Sequence, residues 1–115
     1  RKKNLTNKIL SLQIDKGLKL VKNLKKIIVS YEPVWSIGTG VIPTHKELNK
    51  TISFISNKLN KKFSNKHLVK IIYGGSVNAK NIGKLITIKD INGFLIGGAS
   101  QSGKDFIDIL RNCYM

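Results

Sequence analysis

The residues Tyr31-Glu32-Pro33-Val34-Trp35-Ser36-Ile37-Gly38-Thr39-Gly40 set one carboxylate beside a glycine-punctuated turn. A carboxylate alternates between base and acid within one catalytic cycle. Glu32 is therefore a candidate general acid or base. A capping or salt-bridging carboxylate at a strand end is the structural alternative. Two more glycine turns, Gly74-Gly75-Ser76 and Gly97-Gly98-Ala99-Ser100, offer a different chemistry. Backbone N–H groups in such turns, together with helix N-termini, point at one anion. Glycine also serves tight turns that bind nothing. Three such turns, each just past a strand, favour a phosphate or carboxylate pocket.

Other chemistries find less support. No cysteine/histidine cluster has zinc spacing, and no strand, glycine turn and distal acid form a nucleotide fingerprint. We expect neither a metal nor a cofactor. Cys113, the single cysteine, excludes an intrachain disulfide and falls at an apolar-spaced helix position, as a buried structural thiol would. Trp35 reads equally as a core aromatic. The charge is the oddest feature: 21 Lys plus Arg face 6 Asp plus Glu, a formal net charge of +15. That balance raises nucleic acid or an anionic membrane as a partner. Against it, Arg1 and Arg111 are the only arginines, and the lysines are scattered, pairing only at Lys2-Lys3, Lys25-Lys26 and Lys61-Lys62. The lysine, isoleucine and asparagine excess reads better as compositional drift. We expect no nucleic-acid and no membrane partner; the field would still speed encounter with a small anion. No run approaches transmembrane length. The chain opens Arg1-Lys2-Lys3-Asn4, without an initiator Met or an apolar signal segment, and part of the natural protein is expected to be missing.

The elements that must position these residues follow from periodicity. Over 5–23, Leu10, Ile14, Leu18 and Val21 form a helical stripe beside Lys8, Lys16, Lys19 and Lys22. Gly17 inside it costs roughly 1 kcal/mol against alanine. Residues 26–31 read as a strand buried on both faces. Thr44 and Glu47 have capping-box spacing, and Leu48, Ile52, Ile55, Leu59 and Phe63 continue as a helix. A second strand covers 68–73, Asn78 is placed to cap a short helix with Ile82, Leu85 and Ile86, and a third strand covers 93–96. Phe106, Ile109, Leu110 and Cys113 mark a last helix. The order α-β-α-β-α-β-α, without hairpin turns, predicts an α/β fold with three parallel strands.

The ten residues from Tyr31 to Gly40 resemble the catalytic strand end and mobile lid of the triosephosphate isomerase family. Tyr73-Gly74-Gly75-Ser76-Val77 is similar to that family's next phosphate loop, and Asn92-Gly93-Phe94-Leu95-Ile96-Gly97-Gly98-Ala99-Ser100 to its last. The three stand in family order, and the likeness covers nearly the whole chain. It implies a (β/α)8 TIM barrel, of which residues 1–115 form the C-terminal part of a single domain: three parallel strands with four flanking helices. A complete barrel needs about 250 residues. The remainder would hold the first five strands, most of a homodimer interface, an asparagine and a lysine after the first strand, and a histidine after the fourth. Neither His45 nor His67 replaces that histidine, since one opens the helix after the lid and the other precedes the second strand.

The resemblance also implies roles. Glu32 becomes the base that interconverts D-glyceraldehyde 3-phosphate and dihydroxyacetone phosphate through an enediolate, in cytoplasmic glycolysis and gluconeogenesis. Gly38, Ser76, Gly97 and Gly98 become contacts to the substrate phosphate. Pro33-Val34-Trp35 is the near hinge of the lid, Ser36 leads into it, and Ile37-Gly38-Thr39-Gly40 is its tip. Tyr73 and Ser76 bond the lid when it shuts. Val41-Ile42-Pro43 departs from the family pattern of a lysine followed by two small residues, and the fixed φ of Pro43 bears on opening kinetics. Two other readings stand beside this one. Another phosphate-binding barrel would lack such a lid, and an inactive fragment or degenerate copy would act at most as a structural or basic binding module.

Overall fold

A computed structural model describes residues 4–64 and 69–114. Three parallel strands, β1 (Ile28–Tyr31), β2 (Lys70–Gly74) and β3 (Gly93–Leu95), lie in the order β1-β2-β3. Helix α1 (Thr6–Gly17) precedes them, α2 (His45–Lys62) crosses from β1 to β2, α3 (Ile82–Leu85) from β2 to β3, and α4 (Gly103–Tyr114) follows. This is an α/β segment of a parallel barrel.

Register separates the two faces. Tyr31 pairs with Tyr73 and Tyr73 with Phe94, while Val29 pairs with Ile71. Successive strand residues alternate sides, so these five share one face. Tyr31, Ile71 and Tyr73 are buried there with Leu48, Ile52, Ile55 and Leu59 of α2, and the two tyrosine rings lie 6.2 Å apart. Ile28, Ser30, Ile72 and Leu95 take the opposite parity. Ile28 is 60% and Leu95 42% exposed. One face is thus covered by helices and the other, the inside of a barrel, lies open.

Helix α2 shows how local and tertiary terms agree. The Glu47 N–H donates to Thr44 Oγ1 at 3.2 Å, and the Thr44 N–H donates to the Glu47 carboxylate at 2.9 Å. Such a cap contributes about 1 kcal/mol. Burial of the apolar stripe contributes more, because an isolated helix of this length is marginal in water. Lys58 donates to Asp15 at 2.8 Å and ties α2 to α1. That hydrogen bond holds the Asp15 carboxyl below its ordinary value. The tie is therefore present above the usual carboxylate range and is lost as pH falls through the lowered value.

Several element ends differ from the sequence reading. Helix α1 stops at Gly17 instead of running to 23; Leu18 closes it with an N–H to the Ile14 carbonyl, and Leu20 stands 90% exposed. The glycine that weakens the helix interior is where it ends. Strand β1 starts at Ile28, because the Ile27 N–H is taken by the Leu24 carbonyl in a turn. Strand β2 runs one residue further, to Gly74, and β3 stops one earlier, at Leu95. Residues 65–68, including His67 and the expected start of β2, lie outside the described residues.

Asn78 does not cap α3. Its Oδ1 accepts from the Lys80 and Asn81 N–H groups in the preceding turn, and Ile86 lies beyond the four-residue helix, 42% exposed. On α4 only Ile109 is buried. Phe106 and Leu110 are exposed and Cys113 is half-buried, not the enclosed thiol expected. They line an open cleft of about 510 Å³ beside β3. The reason is topological: β3 has a neighbour on one side alone. Among the described residues no helix is long and apolar enough to cross a membrane.

Candidate active site

In a parallel sheet every strand delivers its C-terminus to the same rim. Glu32 directly follows β1, Gly75-Ser76 follow β2, and Gly97-Gly98 lie just past β3. The structure brings Glu32, Gly38, Ser76, Gly97 and Gly98 onto the wall of one cavity of about 410 Å³, with Leu95 beside them. A turn of 3-10 helix, Gly98–Gln101, leads from it into α4. The chemistry on offer is one carboxylate on the same cavity wall as loops of backbone amides. Such amides favour an anion without carrying a side-chain charge.

The segment after Glu32 lies folded onto β2. Pro33 is buried, and Val34–Ser36 make one 3-10 turn in which the Ser36 N–H donates to the Pro33 carbonyl at 2.8 Å. Beyond it Ile37, Gly38, Thr39 and Gly40 are exposed, and Gly38 and Gly40 take φ of 67° and 75°. The Gly40 N–H donates to Ser76 Oγ at 2.9 Å, and Ser76 Oγ donates to the Ser36 carbonyl at 2.6 Å. Thr39 Oγ1 donates to the Trp35 carbonyl at 2.9 Å, which holds the turn compact. Tyr73 lies below, its hydroxyl 2.9 Å from Ser36 Oγ. Burial pushes the Tyr73 phenol above its ordinary value. The rise keeps the phenol protonated as a donor well past neutral pH.

Loop 74–76 is shaped for these contacts. A Cβ on Gly75, at φ 143°, would lie 2.7 Å from Ser36 Oγ and 2.9 Å from the Tyr73 hydroxyl, so the close approach of Ser36 to the end of β2 needs glycine. Ser76 takes φ of 50°, uncommon for a residue with a side chain. It is held by the Asn81 and Asn78 amides, which donate to its carbonyl at 2.8 and 3.3 Å. Strain fixed by surrounding bonds is found often at functional sites.

The cavity does not gather every residue singled out by sequence. Pro33, Val34, Trp35, Ser36 and Thr39 are not on its wall, and Tyr73 meets this segment through the Ser36 hydroxyl. Trp35 lines a separate cleft of about 420 Å³ with Tyr31 and Pro43. His45 begins α2 on the surface, off the cavity wall. Three contributors went unread. Leu95 shares the parity of the open face. Asn78 lines the cavity while bracing Ser76. Gly74 makes room for Glu32: a Cβ there would stand 2.9 Å from its Cγ and 3.2 Å from its Cδ. Strand parity was the available signal for Leu95 and Gly74. Among the described residues no three His, Cys, Asp or Glu side chains converge as metal ligands.

Parallel β/α units with glycine loops collected on their C-terminal rim define part of a β/α barrel. The family model described as triosephosphate isomerase matches residues 1–113, and the chain belongs to that family. It is 48% identical over 91 residues to the triosephosphate isomerase of Amoebophilus asiaticus, covering 77% of this chain and 36% of the relative. Against the same protein of Mycoplasma mobile it is 41% identical over 108 residues, 94% of this chain and 42% of the relative. Against that of Dictyostelium discoideum it is 44% identical over 115 residues, 97% and 45% of the two lengths. The chain thus spans less than half the length of the curated relatives it matches.

Proposed function

We propose that this chain is the base-and-lid portion of a triosephosphate isomerase, the C-terminal part of a single barrel domain. It would interconvert D-glyceraldehyde 3-phosphate and dihydroxyacetone phosphate once the rest of a barrel completes the site. The observation that carries this reading is the single cavity in which Glu32 meets the loops at Gly38, Ser76 and Gly97-Gly98. With the phosphate held by those amides, the carboxylate takes a proton from the carbon beside the carbonyl. An enediolate forms, and the proton returns to the adjacent carbon. Lid closure, for which triosephosphate isomerase is a standing example, excludes water and retains the enediolate. Glycolysis and gluconeogenesis, a cytoplasmic setting and a homodimer of the complete protein belong to the same proposal.

The chain alone is read as catalytically inactive, a structural piece of that enzyme. The exposed inner face at Ile28 and Leu95 favours this, as does a cavity wall with one carboxylate and neither lysine nor histidine. A chimera tests both halves of the proposal: this chain replaces the matching segment of the Mycoplasma mobile relative. Turnover of glyceraldehyde 3-phosphate is expected from the chimera and none above buffer from the 115-residue chain. Turnover by the chain alone at the chimera's rate contradicts the need for completion. A folded chimera without turnover leaves the structural role and defeats the catalytic one.

A further inference from the structure

Ser36 has no exposed surface, although Val34 and Ile37 around it are 83% and 52% exposed. Its hydroxyl donates to the Val41 carbonyl at 2.5 Å, joining the two ends of the segment that carries Gly38 and Gly40. A serine hydroxyl has one proton, and that proton is used on Val41. The 2.9 Å contact to Tyr73 is then a bond from the phenol to Ser36 Oγ. Tyr73 has a second acceptor, the Gly75 carbonyl, at 3.1 Å. Two protons therefore serve three contacts, and Ser36 Oγ is the junction between lid and strand.

We propose that Ser36 is a positioning residue, a hydroxyl latch that closes the lid on itself and fastens it to the end of β2. The proposal rests on reading 37–40 as a lid and gives Ser36 a task distinct from phosphate binding or proton transfer. Its chemistry makes the latch separable from the fold. Without the hydroxyl, Val41, which is 48% exposed, turns its carbonyl to water, and the Tyr73 phenol keeps the Gly75 carbonyl. The phenol thus keeps a partner, and the cost falls on lid docking. Substituting the phenol instead leaves the bond from Ser36 to Val41 in place.

Amide hydrogen exchange on the 115-residue chain tests this without any turnover. The Gly40 N–H, bonded to Ser76 Oγ, reports lid docking, and the Ile71 N–H, bonded to the Asn92 side chain, reports the sheet. Ser36→Ala is expected to speed exchange at Gly40 by about tenfold, the loss of roughly one buried hydrogen bond, with Ile71 unchanged. Tyr73→Phe is expected to speed Gly40 less. Unchanged exchange at Gly40, equal acceleration at Ile71, or a larger effect from Tyr73→Phe each overturns the latch. Failure of the isomerase reading shows separately, as a folded chimera without turnover.

Discussion

Replacing Glu32 by aspartate in the chimeric barrel lowers kcat by roughly 10²- to 10³-fold and moves KM by less than about threefold. The asymmetry follows from geometry. Glu32 shares the cavity wall with the loops that would hold the phosphate but is not itself one of their amides, so retracting its carboxylate by one methylene leaves the anion contacts alone. The distance to the carbon that gives up its proton grows, and about 1 Å of misplacement costs on the order of 10²-fold. Steady-state kinetics of the two chimeras at matched pH check this. Comparable losses in kcat and in affinity would move Glu32 from proton transfer to binding.

Gly74→Ala produces the second large effect, about 10²-fold in kcat with a smaller cost in stability. The backbone at Gly74 is not among those with positive φ, so alanine brings no conformational strain. What it brings is a Cβ 2.9 Å from Glu32 Cγ and 3.3 Å from Leu95 Cβ. The Glu32 contact is with a flexible side chain, which yields more cheaply than the sheet does. The carboxylate swings away and the fold survives. Thermal unfolding alongside kinetics separates the two consequences. A large fall in melting temperature with kcat preserved would show that Gly74 serves strand packing instead of the base. In a Glu32→Ala background any stability cost of Gly74→Ala should shrink, since the clashing side chain is gone.

Both effects depend on parity across strands, which is why the sequence showed half of them. The lid motif, the α2 capping box and the three strands are local patterns, legible in consecutive residues such as Thr44 with Glu47 or Ile71-Ile72-Tyr73. That Gly74 lies beneath Glu32 requires the register of β1 against β2, and that Leu95 joins them requires β2 against β3. No single segment contains that information. Ser36 was placed in the lid by its neighbours, yet its hydroxyl acts through Tyr73, thirty-seven positions on. The misread features have one local and one non-local cause. Helix α1 ends at its glycine, Gly17, with Leu18 closing it, whereas the stripe of Phe106, Leu110 and Cys113 on α4 stays open because β3 is an edge here.

A titration of the isotope-labelled 115-residue chain with glycerol 3-phosphate, followed amide by amide, bears most directly on the proposal that the loops sharing a cavity with Glu32 bind a phosphate. This ligand carries the phosphate and three-carbon frame without the reactive carbonyl. The expected result is saturable shifts at the Gly38, Ser76, Gly97 and Gly98 amides, together with Glu32. Shifts confined to lysine-bearing surfaces such as Lys16, Lys19 and Lys22 would mean that charge alone attracts the ligand and that the rim holds no phosphate site.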